Sequence, residues 1–260
     1  MTTDRRTAFG TRGWRGPETL LTPEAAGRLA DAGLRAAKGF MPRGALRQAV
    51  AADAFADRPW HKSMHAYVPE LFEMVRHPAL AEIAVDALGP NVIAWGAMLA
   101  VRRPGARHRW HVDIEHVRWP GITVFVGLRG TVRGRSGLRF VDGSHHVPLL
   151  PQEAGVSSDE GAVALAREHV PTACLSEPPV GDGELLAFDG LTWHSSENRS
   201  DGTRVALLVQ YAPAEARICI PLEWDNPIRW HECRPPCVLV AGSDLSSVNR
   251  LVSAPLGCLP

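Results

Sequence analysis

The chain has 260 residues, 45% of them apolar and 22% charged, enough for one large core and ordinary for a globular protein. Its 28 basic residues are matched by 28 acidic ones, so no net field points to a nucleic-acid or membrane partner. No apolar run is long enough for a transmembrane helix, and five cysteines, an odd number, argue against a disulfide framework.

Residues 1–20, rich in Gly, Pro and Arg, read as a loose arm. They lack the apolar stretch of a secretory signal, so a cytoplasmic protein is expected. Thr22-Pro23-Glu24 reads as N-cap, first-turn proline and first-turn acid, opening a helix to about Lys38 with Ala25, Leu29, Ala32 and Ala36 at helical spacing. A second helix is expected over 43–55. Two short ones are expected between Tyr67 and Leu88, split at His77-Pro78 and stopped by Gly89-Pro90. The texture then changes. Strands are expected over 92–102, 108–114, 122–128 and 138–141, where β-branched and aromatic residues gather between Gly/Pro turns. An insertion over 151–176 holds a helix from about Ser158 to His169, and strands resume over 184–188, 191–194 and 205–211. Helices followed by many short strands point to an α+β protein built on a β-sandwich or jelly roll. The expected organisation is one domain over 1–260: helical support over 1–90, a jelly-roll core over 91–213, and a loop-rich tail or lid over 214–260.

The chemistry concentrates in R-W-H-V-D, residues 109–113. On an extended strand His111 and Asp113 project to the same face. Imidazole plus carboxylate is two-thirds of the facial triad that holds Fe(II) with positions left open. Glu115 and His116 stand close by and compete for the role, although a third ligand on the same strand would lie too far along it. His194, after an apolar strand and a D-G turn, sits where a strand end would face the first pair; alone, Trp193-His194 reads equally as a sheet-edge pair. Arg204 tilts the balance. A buried carboxylate needs a paired guanidinium, and a chelating 2-oxo acid has a remote carboxylate to pair with it. Thr123 could add a hydroxyl to that carboxylate, or be merely a good strand former. His231, Cys233 and Cys237 could be read as part of a zinc site, but no fourth ligand stands at a usual spacing, and Pro235-Pro236 reads as well as a tail turn.

Four segments together resemble the phytanoyl-CoA dioxygenase family of Fe(II)/2-oxoglutarate oxygenases: LFEMVRHPALAEIAVDALGPNV, AVRRPGARHRWHVD, SGLRFVDGSHH and GDGELLAFDGLTWHSSENRSDGTRVALLVQYAP. The resemblance spans residues 70–213 and rests on H-x-D, G-S-H, G-D and H-x-S-x-N…R in that order. It implies a double-stranded β-helix, iron at His111, Asp113 and His194, 2-oxoglutarate at Arg204 with Thr123 contributing, and O2 as oxidant. The family's halogenating branch replaces the acidic ligand with Gly or Ala. Asp113 therefore implies hydroxylation, desaturation or oxidative ring closure. Arg103 stands where many relatives have Lys.

The arginine bias (Lys38 and Lys62 are the only lysines) and abundant Ala and Gly fit a GC-rich bacterial genome, where such enzymes tailor secondary metabolites such as antibiotics. The expected substrate is a small, polar, sugar-containing molecule. Trp119 would hold it with Glu115 and His116, and Trp110, Trp193, Trp224 and Trp230 stand nearby in the expected mouth or tail. A monomer or homodimer is expected. The competing readings are a jelly-roll metal- or sugar-binding module and a metal-dependent hydrolase that uses no 2-oxo acid.

Overall fold

The protein was analysed as a computed structural model, which describes residues 9–39, 62–113, 119–135, 137–219 and 234–256. Two antiparallel-dominated sheets face each other as a jelly roll with helices stacked on one outer face. The larger sheet runs in the order β1 (Trp14–Thr19), β7 (Glu184–Asp189), β4 (Ile122–Arg129), β9 (Arg204–Pro213), β2 (Val92–Arg102), β10 (Pro236–Ala241) and β11 (Arg250–Leu251). The smaller runs β3 (Arg107–His111), β8 (His194–Glu197), β5 (Leu138–Val141) and β6 (Leu175–Ser176).

Strand alternation sorts the large sheet into two faces. Val124, Val126, Val205, Leu207, Val209 and Tyr211 pack outward against Ala26, Ala30, Leu71, Phe72, Leu80 and Ile83 of the helices. Phe125, Leu186, Phe188 and Ala206 turn inward, joined by Phe140 and Leu138 of the small sheet. Both faces are covered, so β4 is apolar at nearly every position. Each large side chain buried this way contributes about 1.5–3 kcal/mol before entropy is charged. Helices among the described residues include α1 (Pro23–Gly39), α2 (Met64–Tyr67), α3 (Pro69–Val75), α4 (Pro78–Leu88) and α5 (Asp159–Arg167). Thr22 Oγ1 accepts from Ala25 N at 3.2 Å, and Ser158 Oγ accepts from Gly161 N at 3.0 Å, as their sequence positions led one to expect. Tyr211 OH donates to Val75 O at 2.9 Å, tying α3 to β9.

Several expectations are corrected. The loose arm contains β1, an edge strand whose Pro17 falls at a register shift, where no ladder hydrogen bond is lost. The strand expected over 191–194 instead begins at His194, because residues 191–193 are held in the turn before it. The strand expected over 108–114 ends at His111. The segment between Tyr67 and Leu88 holds the two expected helices, split before Pro78, and a further short helix, not expected, precedes it from Met64. The tail is not all loop: β10 starts at Pro236 and joins the large sheet beside β2. The helix expected over 43–55 lies outside the described residues.

Candidate active site

His111 and His194 are directly opposed in the β3–β8 pair, so their side chains share the inner face of the small sheet. Their ring centroids are 4.1 Å apart. Asp113 reaches them from the turn after β3, not from the pleat of the strand itself. Asp113 N donates to Gly190 O at 2.9 Å, and its Oδ1 lies 3.6 Å from Nε2 of each histidine. The three residues form a cluster able to hold a metal ion, their candidate ligand atoms all within 4.8 Å of one another. The side chains of His111 and Asp113 are 19% and 13% exposed against 4% for His194, so among the described residues the cluster is more open at His111 and Asp113 than at His194.

Backbone carbonyls set the protonation of both rings. His111 Nδ1 donates to Arg109 O at 2.8 Å and His194 Nδ1 to Thr192 O at 2.9 Å. A carbonyl can only accept, so Nδ1 carries the proton and each Nε2 presents a lone pair to the cluster. Burial, helped by the neighbouring His194, lowers the His111 pKa and keeps its ring neutral. Burial alone would raise the Asp113 carboxyl, but the neighbouring imidazoles, His194 foremost, outweigh it and hold the carboxyl well below its usual range. Two imidazoles with Nε2 turned to one point and one carboxylate suit a divalent metal. His108 lies with Nδ1 3.2 Å from His111 Nδ1; burial first, then the neighbouring His111 and Arg102, push its pKa down to about 2.

The turn carrying His194 is clasped from outside, by residues the sequence reading did not single out. Ser144, fully buried, donates through Oγ to Val141 O at 2.6 Å and accepts from Trp193 N at 2.8 Å. Thr192 Oγ1 donates to Gly13 O at 2.9 Å. Gly13 has φ +81°, and a Cβ there would collide with Thr192 Oγ1. Only the serine left a trace in the sequence, as the middle letter of G-S-H.

Arg204 opens β9 and is 1% exposed, its side chain turned into the barrel. Nη2 donates to Ser196 Oγ at 3.4 Å, and the guanidinium carbon stands 5.7 Å from the Phe125 ring centroid. Ser196 is two residues beyond His194 on β8 and so on the same face. Asn198 closes the return to β9: its Nδ2 donates to Arg102 O and Gly202 O, and its Oδ1 accepts from Ser200 N and Oγ. The H-x-S-x-N…R pattern is therefore a ligand, an arginine contact, a hairpin clamp and the arginine itself. Thr123 is placed differently from the expectation. Its Oγ1 donates to Asp113 Oδ2 at 2.6 Å, which joins it to the metal cluster and not to Arg204.

The tryptophans also divide. Trp110 and Trp193 are 3% and 0% exposed in a core with Val112, Val141 and Ala166, so neither can face a substrate. Trp119 is 7% exposed and packs edge-on to Trp95, with ring centroids 5.4 Å apart and its Nε1 buried without a hydrogen-bond partner among the described residues. Glu115, His116, Trp224, Trp230, His231 and Cys233 lie outside the described residues.

A family described as Phytanoyl-CoA dioxygenase (PhyH) matches residues 11–206. Comparison with curated proteins finds no match. Among solved structures, the chain is similar to the non-heme monooxygenase ThoJ in its apo form, with TM-score 0.68 and 18% identity over 98% of this chain and 89% of that one. It is similar to CytC3 with Fe(II) and alpha-ketoglutarate, with TM-score 0.67 and 16% identity over 99% and 95%. It is also similar to SnoK, a non-heme alpha-ketoglutarate-dependent carbocyclase from nogalamycin biosynthesis, with TM-score 0.56 and 18% identity over 84% and 86%.

Proposed function

Since the chain belongs to the phytanoyl-CoA dioxygenase family, we propose that it is an Fe(II)- and 2-oxoglutarate-dependent oxygenase with iron at His111, Asp113 and His194 and the co-substrate anchored by Arg204. One observation carries this reading: a histidine–aspartate–histidine cluster shares a barrel with a buried arginine whose guanidinium points into the same interior. The donor set fits Fe(II), since both Nε2 lone pairs and an ionised carboxylate face one point and leave the more open side for exchangeable ligands. Iron and 2-oxoglutarate supply the oxidising chemistry when bound.

The chain's own residues do the rest. Arg109 O and Thr192 O hold the two imidazoles in the liganding tautomer. Thr123 orients the carboxylate. Arg204 and Ser196 offer a cation and a hydroxyl to the far carboxylate of a chelated diacid. Phe140 and Phe188 pack against the His194 ring, with Phe125 in the same cluster, and exclude water from that side of the metal site.

For the substrate we propose a polar, sugar-containing natural product, hydroxylated or oxidatively ring-closed. The acidic ligand Asp113 favours oxygenation chemistry. The inward positions beside the cluster (Gly96, Met98, Thr123, Leu208 and Gln210) carry no charge that would pair with a phosphate-rich thioester. SnoK, of similar fold, comes from nogalamycin biosynthesis.

Anaerobic addition of Fe(II) and then 2-oxoglutarate tests the function: a weak visible charge-transfer band is expected, and its absence would favour a hydrolase or binding module. Succinate formation tests the substrate. Stimulation by saccharide-containing compounds is expected, whereas stimulation by free amino acids or acyl-CoAs alone would overturn that part.

A further inference from the structure

Gln210 is the buried polar residue of the barrel interior that the mechanism above does not use. It is 6% exposed. Along β9 the residues Arg204, Ala206, Leu208 and Gln210 share the inner face, since Val205, Leu207 and Val209 pack outward. Gln210 is paired with Thr123 on β4, and an antiparallel pair puts the two side chains next to each other. Thr123 in turn is bonded to Asp113. Gln210 thus leaves β9 next to Thr123, the residue bonded to the metal cluster, on the strand that also carries Arg204.

The strand serves as a ruler. The Arg204 guanidinium has advanced to the ring of Phe125, which is paired with Leu208. From that pair to the Thr123–Gln210 pair is one same-face step of about 7 Å. An extended five-carbon diacid held at its far carboxylate by Arg204 brings its chelating end to that second pair. Of the two side chains there, the Thr123 hydroxyl already donates to Asp113, while the Gln210 carboxamide makes no hydrogen bond with a described residue. On its other side Gln210 faces Gly96, where a Cβ would come within 2.9 Å of Oε1, so the amide lies in the space a side chain at 96 would occupy. The next inward pair, Met98 and Leu208, is partly exposed although it sits in the middle of a seven-stranded sheet. Leu208 packs at the margin of the Phe125, Phe140 and Phe188 cluster, so the barrel interior opens beside that cluster.

We infer that Gln210 is a catalytic residue that contacts the co-substrate, its carboxamide N–H donating to the C1 carboxylate of 2-oxoglutarate beside the metal. This rests on the function proposed above. Arg204 would grip one end of the diacid by charge, and Gln210 would set the angle of the other end with a neutral donor. A neutral donor fits this place, because a second cation would compete with the metal for the same carboxylate.

The test is anaerobic titration of the Fe(II)-loaded protein with 2-oxoglutarate, read by the visible charge-transfer band, in wild type, Gln210→Met and Gln210→Glu. Methionine keeps the volume and removes both donors, and Co(II) affinity without 2-oxoglutarate reports that the cluster is intact. The inference expects unchanged Co(II) binding in both variants. It also expects a 2-oxoglutarate Kd raised about ten- to hundredfold and a displaced band maximum in Gln210→Met, because a hydrogen bond to a charged group is lost. Gln210→Glu should bind more weakly still, since a carboxylate would face a carboxylate. An unchanged Kd and band in Gln210→Met would overturn the assignment, and loss of turnover alone would move the amide to the organic substrate. A wild-type protein that forms no band at all would instead sink the proposed function, a result distinguishable from either.

Discussion

Thr123 and Arg204 stand on the inner faces of neighbouring strands, and single substitutions separate their roles. Thr123→Val keeps the side-chain shape and removes the hydroxyl from Asp113 Oδ2. Losing such a support for a metal ligand is expected to weaken Co(II) or Fe(II) binding about 10- to 100-fold while leaving 2-oxoglutarate affinity of the metal-saturated protein intact. The reverse pattern in calorimetric titrations would return Thr123 to the co-substrate. Arg204→Ala has the opposite signature. Metal affinity should hold, and the 2-oxoglutarate Kd should rise by two to four decades, the equivalent of about 3–5 kcal/mol for a buried pair that loses one partner. Arg204→Lys should restore only part of it, because an ammonium cannot offer the planar fork. Unchanged 2-oxoglutarate dependence in Arg204→Ala would rule out this anchor.

Among the elements, β1 matters most for its size. Its approach brings Gly13 O to the Thr192 hydroxyl, while Ser144 braces the next peptide, so the turn before β8 has a hydrogen bond at each of three successive residues. Two variants probe that clasp. Ser144→Ala leaves the buried Trp193 N–H without its acceptor, which should cost about 1–3 kcal/mol in denaturant unfolding and weaken metal binding as His194 loosens. Gly13→Ala forces a left-handed φ on a residue with a Cβ, at about 1–2 kcal/mol, and crowds the Thr192 hydroxyl besides. A Gly13→Ala protein with wild-type stability and metal affinity would show that β1 is only a sheet edge.

Across the whole molecule, one buried histidine joins the helical layer to β10. His65 is fully buried on α2, and its Nε2 donates to Pro236 O of β10 at 3.1 Å. Burial pushes its pKa down to about 4, from an ordinary value near 6.5. The unfolded chain therefore takes up a proton here before the folded one does. The contribution of His65 is intact above pH 6.5 and is lost as pH falls towards 4. A shift of that size corresponds to about 3 kcal/mol over the window. His65→Gln, which keeps a donor for Pro236 O but does not titrate, should show a stability profile flatter by that amount in urea unfolding between pH 7 and 4. Parallel profiles would mean that His65 is protonated without penalty. No helix among the described residues is long and apolar enough to cross a membrane.

The H-x-D pair, the distant His194, the arginine six residues past Asn198 and the order of the central strands were legible in the chain because each leaves a local mark: a fixed spacing, an apolar run, a turn residue. Helix starts at Thr22 and Ser158 were legible for the same reason. What bears on the site but has no local mark was decided only by tertiary structure. Trp14–Thr19 and Pro236–Ala241 become strands because partners already in the sheet satisfy their backbone groups, and proline at an edge or a strand start forfeits nothing. Thr123 meets Asp113 because strand pairing puts it there, and Ser144, Gly13 and Thr192 converge on His194 from three parts of the chain. Trp110 looks in sequence like a binding platform and is core beside Trp193, because alternation fixes the period of a strand but only packing fixes which face is inside.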